Sequence, residues 1–176
     1  MKRVLFCLFV TLITMSIKAQ HIAYADLMKL VKIEKWSEMN SALTAKGYKF
    51  AGSRNVENTD RPRFQAIWCR NCTYNLSTNE VRWKNNVSHS LFFVNRYSDR
   101  SEYVLDFPGK QAFDTFLKTA KANGFKYKSE EIFPECIAVW YTRINKQKNK
   151  TEVMKFNQFS DSSYEMLYYI EYPMEE

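Results

Sequence analysis

Apolar residues recur at helical spacing in two stretches and alternate through most of the remainder. Leu27, Leu30 and Val31, then Trp36, Met39 and Leu43, mark one helical face. The polar stretch from Lys32 to Ser37 interrupts it, so the pattern predicts either one weakened helix or two short ones. Phe113, Phe116, Leu117 and Ala120 mark a later helix, entered through Pro108 and Gly109. Gly47 and Gly124 follow the two helical stretches, where a left-handed residue closes a last turn. Lys46 and Lys121 suit the negative end of each helix dipole. Strands are predicted at Tyr48–Ala51, Phe64–Cys69, Glu80–Lys84, Leu91–Tyr97 and Tyr103–Phe107. A second set is predicted at Phe125–Lys128, Ile137–Arg143, Val153–Phe159 and Met166–Tyr172. Clusters of Asn, Ser, Asp and Lys separate them, as turns require.

Three short words recur in the same order. Residues 44–50 (TAKGYKF) resemble 120–127 (AKANGFKY), Ala66-Ile67-Trp68 resembles Ala138-Val139-Trp140, and Asn95–Asp99 resembles Asn157–Asp161. The reading is an α+β protein of two tandem copies, each a helix followed by antiparallel hairpins, with helices on one face of the sheet. The copies are expected at residues 20–108 and 109–176.

Composition changes this picture little. Four Gly and four Pro in 176 residues argue against long linkers, and 16% aromatic residues favour strands. The N-terminus changes it more. Lys2 and Arg3 precede an apolar run from Val4 to Ile17, and Ala19 offers a small residue for cleavage. This order predicts a signal peptide over residues 1–19, cut after Ala19, and a periplasmic or extracellular mature chain. Ala23-Tyr24-Ala25 also fits the small-x-small pattern but lies far from the apolar run. Lys2, Arg3 and Lys18 leave with the leader, lowering the net charge from +7 to +4. That charge and the absence of a recognisable module argue against a nucleic-acid partner. No later apolar segment reaches the length of a membrane span.

Candidate chemistry is sparse. His21 and His89 are the only histidines, and neither lies beside a nucleophile motif. Cys69-Arg70-Asn71-Cys72 supplies two zinc ligands of the four a closed site needs, with no second pair, and it does not open a helix as a redox site would. In an oxidising compartment it reads as a structural disulfide, either within the pair or between one of the two and Cys136. Asp99 and Asp161 follow serines in turn-like words, where a carboxylate caps its own backbone. The run from Lys146 to Lys150 reads as a solvated hairpin tip. No catalytic residue, metal or cofactor is expected.

Alternation gives the sheet a second face. With Ile137, Val139 and Tyr141 inward, Trp140 and Thr142 point outward. The same reasoning sends Leu91 and Phe93 inward and Phe92 and Arg96 outward. It sends Val81 and Trp83 inward with Arg82 and Lys84 outward, and Met166, Tyr168 and Ile170 inward with Tyr169 outward. Arg82, Lys84, Phe92, Arg96, Trp140, Thr142 and Tyr169 are therefore the expected binding residues, a mixture of aromatic and Arg side chains suited to recognition.

The words from Lys46 to Phe50, with Tyr-rich strands after a leader ending Ala19-Gln20, resemble a loose group of uncharacterised exported bacterial proteins. The tandem helix-plus-sheet plan resembles that of the secreted β-lactamase inhibitor proteins. The first implies export and no particular activity; the second concerns architecture alone. The expected function is non-catalytic binding of another exported protein, as an inhibitor or immunity partner. The rival is a cell-wall or glycan-binding module that uses Trp and Tyr as sugar platforms. An enzyme built on carboxylates or on Cys69 and Cys72 is the third reading.

Overall fold

The computed structural model describes residues 21–57, 59–85 and 87–172. The expected leader and its expected cleavage site after Ala19 lie outside them. Among the described residues, three α-helices are present: α1 (Tyr24–Leu30), α2 (Trp36–Thr44) and α3 (Lys110–Ala122). Ten strands are present: β1 (Lys49–Val56), β2 (Arg63–Arg70), β3 (Cys72–Asn75), β4 (Glu80–Trp83), β5 (Ser90–Arg96), β6 (Ser101–Phe107), β7 (Lys126–Ile132), β8 (Cys136–Asn145), β9 (Lys150–Phe159) and β10 (Tyr164–Glu171). Eight strands form one antiparallel sheet in the order β1-β2-β5-β6-β10-β9-β8-β7, and β3 pairs with β4 in a separate ribbon. Among the described residues, no helix is long and apolar enough to cross a membrane.

This architecture corrects the expected α+β tandem. The protein is mostly β, 49% strand against 21% helix. It holds one continuous sheet instead of two helix-plus-hairpin copies. The reason is the pairing of β6 with β10, in register from Tyr164↔Phe107 to Tyr169↔Glu102. That ladder sews residues on either side of position 108 into one sheet, so they share backbone hydrogen bonds and a core. Helical periodicity is easily read in sequence, yet the helices have only 7, 9 and 13 residues. The ladder carries the fold.

One large core joins the helices to one side of the sheet. Tyr24, Leu27 and Leu30 from α1, Met39 and Leu43 from α2, and Phe113, Phe116 and Ala120 from α3 meet Trp68, Phe92, Leu105, Tyr141, Met154, Phe156, Met166 and Tyr168 from the strands. Phe156 receives the edges of Phe113 and Tyr141 at centroid distances of 5.6 and 5.7 Å. Gly47 and Gly124 close α2 and α3 with φ of 81° and 89°, as their positions in sequence suggest.

The opposite, far face of the sheet is only partly covered. The β3–β4 ribbon folds over its β1–β2–β5 side, where Cys72, Tyr74 and Val81 pack on Cys69, Leu91 and Phe93. This gives the molecule a sandwich-like cross-section over that half alone. The loop between the ribbon strands is held down at two points. Arg54 Nη1 donates to the Leu76 carbonyl at 2.8 Å, and Leu76 lies so close to Gly52 that a Cβ there would meet its Cδ1 at 2.2 Å.

Candidate functional site

The far face beyond the ribbon is built from β6, β10, β9 and β8. Cross-strand partners define its central row: Phe93, Val104, Leu167, Lys155 and Trp140 follow one another across five strands. A neighbouring row runs Gln65, Asn95, Glu102, Tyr169, Val153 and Thr142. Val104 and Val153 are buried between larger neighbours, whereas Phe93, Leu167, Lys155, Trp140, Thr142 and Tyr169 are half-exposed. At about 4.8 Å per strand, Phe93 and Trp140 are about 19 Å apart.

Cations lie on this surface's aromatic rings. The Lys155 ammonium is 4.9 Å from the Trp140 ring centroid, and the Arg100 guanidinium is 4.1 Å from that of Tyr169. Arg100 also pairs with the buried Glu102 at 2.6 Å, which fixes the guanidinium over the ring. Gln65 accepts from Arg54 at 2.8 Å and donates to Asn95 at 3.0 Å. The second row is thus a polar ladder over Gln65, Asn95 and Glu102 that runs into Tyr169.

At one end of the same face lies a cleft of about 370 Å³. Its floor holds Asp106 and Glu165, which face each other across β6 and β10. One wall is the stacked pair Trp83 and His89, with ring centroids 4.1 Å apart. The other side is Phe159 with Asp161 and Ser163 from the β9–β10 turn. The β6 backbone under Asp106 is fixed from the core side: Tyr48 Oη donates to Ser90 Oγ at 2.9 Å, and Ser90 Oγ donates to the Asp106 carbonyl at 2.6 Å. Burial, and then the charge of Glu165, push the Asp106 carboxyl up to about 7. Burial also raises Glu165, although Asn157 Nδ2 donates to its Oε1 at 2.8 Å.

The expected binding residues do not form one site. Trp140, Thr142 and Tyr169 do share the far face. Phe92 is in the core with no exposed surface, against Trp68. It points the other way because β5 runs Leu91-Phe92-Phe93-Val94, an unbroken apolar stretch in which alternation has no phase. Arg96 lies on the helix side too: its guanidinium is 4.2 Å from the Trp36 ring centroid and Nη2 donates to the Glu34 carbonyl at 3.2 Å. It therefore pins the α1–α2 connection. Arg82 and Lys84 are exposed on the ribbon. Arg82 lies opposite Thr73, away from the strand positions that pack on the sheet. Asp106 and Glu165 were absent from the expected set, although a lone acid inside the apolar strand from Tyr103 to Phe107 is a visible signal.

Cys69, Cys72 and Cys136 are free thiols. Cys69 and Cys72 are neighbours, and the Cys69 thiol donates to the Cys72 carbonyl at 3.1 Å; the adjoining Cys72 thiol draws Cys69 down to about 7, while the Cys69 thiol and burial push Cys72 up. Cys136 opens β8, five strand spacings from β2, or about 24 Å. This corrects the expected alternative of a bridge from Cys136 to either member of the pair, since a disulfide requires Cα atoms within about 7 Å. Among the described residues, no group of three or more His, Cys, Asp or Glu could hold a metal. No protein-family model, curated protein or solved structure matches this chain.

Proposed function

We propose that the chain is an exported, non-catalytic protein that docks another exported protein on the open half of its far sheet face. The observation that carries this reading is the half-exposed row Leu167, Lys155 and Trp140. It runs across the part of the sheet that the β3–β4 ribbon leaves bare, and it mixes apolar, aromatic and cationic groups. Such a mixture, on a rigid ladder, suits protein recognition. It suits sugar stacking less well. A sugar platform needs an open ring face, and both Trp140 and Tyr169 have a cation lying on theirs.

Leu167→Glu places a charge in the middle of this row while sparing the core. The expected result is a stoichiometric partner recovered from envelope extract with the parent chain and reduced at least tenfold with the variant. The variant's melting curve should stay within a few degrees of the parent's. Retention on peptidoglycan, with no stoichiometric partner, would support glycan binding instead.

A further inference from the structure

We infer that the cleft between the ribbon and the β9–β10 turn receives a cationic side chain, Lys or Arg, from the docked protein. This deepens the docking proposal and rests on it. The argument begins with charge. Two carboxyl groups face each other on the cleft floor, and Asp161 adds a third acid at its rim. Asp106 is largely enclosed, yet among the described residues no group donates a hydrogen bond to its carboxylate. Asn157, 6% exposed, spends its Nδ2 on Glu165, and its buried Oδ1 has no donor. A half-buried carboxylate with no donor from the fold gains free energy when one enters. An ammonium or guanidinium group supplies the missing donors and the missing charge together.

The walls match the same ligand. Trp83 is 42% exposed and stacked on His89, and Phe159 stands opposite. An aromatic wall attracts a cation through its ring face and covers the apolar stem of Lys or Arg. The cleft opens on the same sheet face as Leu167, and Glu165 lies two residues from it on β10. A protein seated on the central row can therefore reach it with one long side chain.

The groups facing Asp106 are Glu165 from β10, Asp161 from the β9–β10 turn, His89 from the segment before β5, and the Cys72 thiol from the ribbon. Lys155 from β9 acts on Glu165. With Asp106 titrating at about 7, a cation should bind more tightly at pH 8 than at pH 6. His89 stands in the same cleft, so a separate His89 variant isolates the contribution of Asp106.

The probes are Ac-Gly-Lys-Gly-NH2 and Ac-Gly-Arg-Gly-NH2, with the norleucine peptide as the neutral control and n-butylamine as the free amine. The readout is the Trp83 indole N–H resonance of the mature protein. We expect saturable shifts with the Lys and Arg peptides, roughly fivefold to tenfold tighter at pH 8 than at pH 6. Asp106→Asn should weaken them at least fivefold and flatten the pH profile, while His89→Gln should keep it. Equal shifts with norleucine, or an unchanged profile in Asp106→Asn, would overturn the inference. Binding of n-butylamine as tight as that of the peptides would overturn the assignment to a protein side chain. The titration reads the cleft and Leu167→Glu capture reads the sheet row, so either can fail while the other stands.

Discussion

Asp106→Asn should melt higher than the parent at pH 8 and no higher at pH 4. The folded Asp106 carboxyl titrates at about 7, against 3.8 in an unconstrained chain. Between those values the folded state holds a proton that the unfolded state has lost. Stability therefore falls as pH rises through this window and levels off above it. Asn keeps the shape of the neutral acid at every pH, so it removes the loss. At 1.4 kcal/mol for each tenfold change, the gap corresponds to at most about 4 kcal/mol at pH 8. Glu165, raised by burial as well, gains from losing its charged neighbour. Paired thermal melts at the two pH values check this. A variant less stable than the parent at pH 8 would mean that ionised Asp106 is satisfied within the fold, which also removes the reason for a cation in the cleft.

Phe92→Ala should destabilise the fold by about 3–5 kcal/mol, the cost of emptying a large aromatic site in a packed core. Phe92 has no exposed surface and lies between Trp68 and Tyr103, with centroids 6.2 and 6.4 Å away. Trp140→Ala, on the far face of the same sheet, should cost about 1 kcal/mol or less, because its ring is half-exposed and its main contact is a surface cation. Urea unfolding of the two variants measures the difference directly. Similar losses at both positions would mean that the two faces are not as unequal as the packing shows.

These two residues also show what the sequence reveals. Alternation assigns faces correctly wherever polar and apolar residues take turns. In β8 it puts Val139 and Tyr141 toward the core, and in β10 Met166 and Tyr168. It fails in β5, where four successive apolar residues fit either phase and only the register with β2 and β6 decides. The split into two short helices before β1 is left open by the sequence, because Lys32 to Ser37 weakens the apolar pattern without a proline or glycine to end a helix. Strand β3, Cys72–Asn75, was not. Its four residues pair only with β4 and carry few apolar side chains, so its existence depends on the fold-over onto Cys69 and Phe93. The union of all eight strands through β6 and β10 was illegible for a different reason. Pairing between strands some sixty residues apart leaves no local mark, whereas repeated short words suggest separate units. The acidic cleft follows from the same long-range pairing, since Asp106 and Glu165 meet only once β6 and β10 are in register.

Photo-crosslinking from a benzoylphenylalanine at position 167, compared with one at position 118 on the exposed side of α3, reads the docking face most directly. An adduct with one exported protein from position 167 and none from position 118 is the predicted result. An adduct from position 118 alone would place the partner on the helix side of the sheet and contradict the assignment.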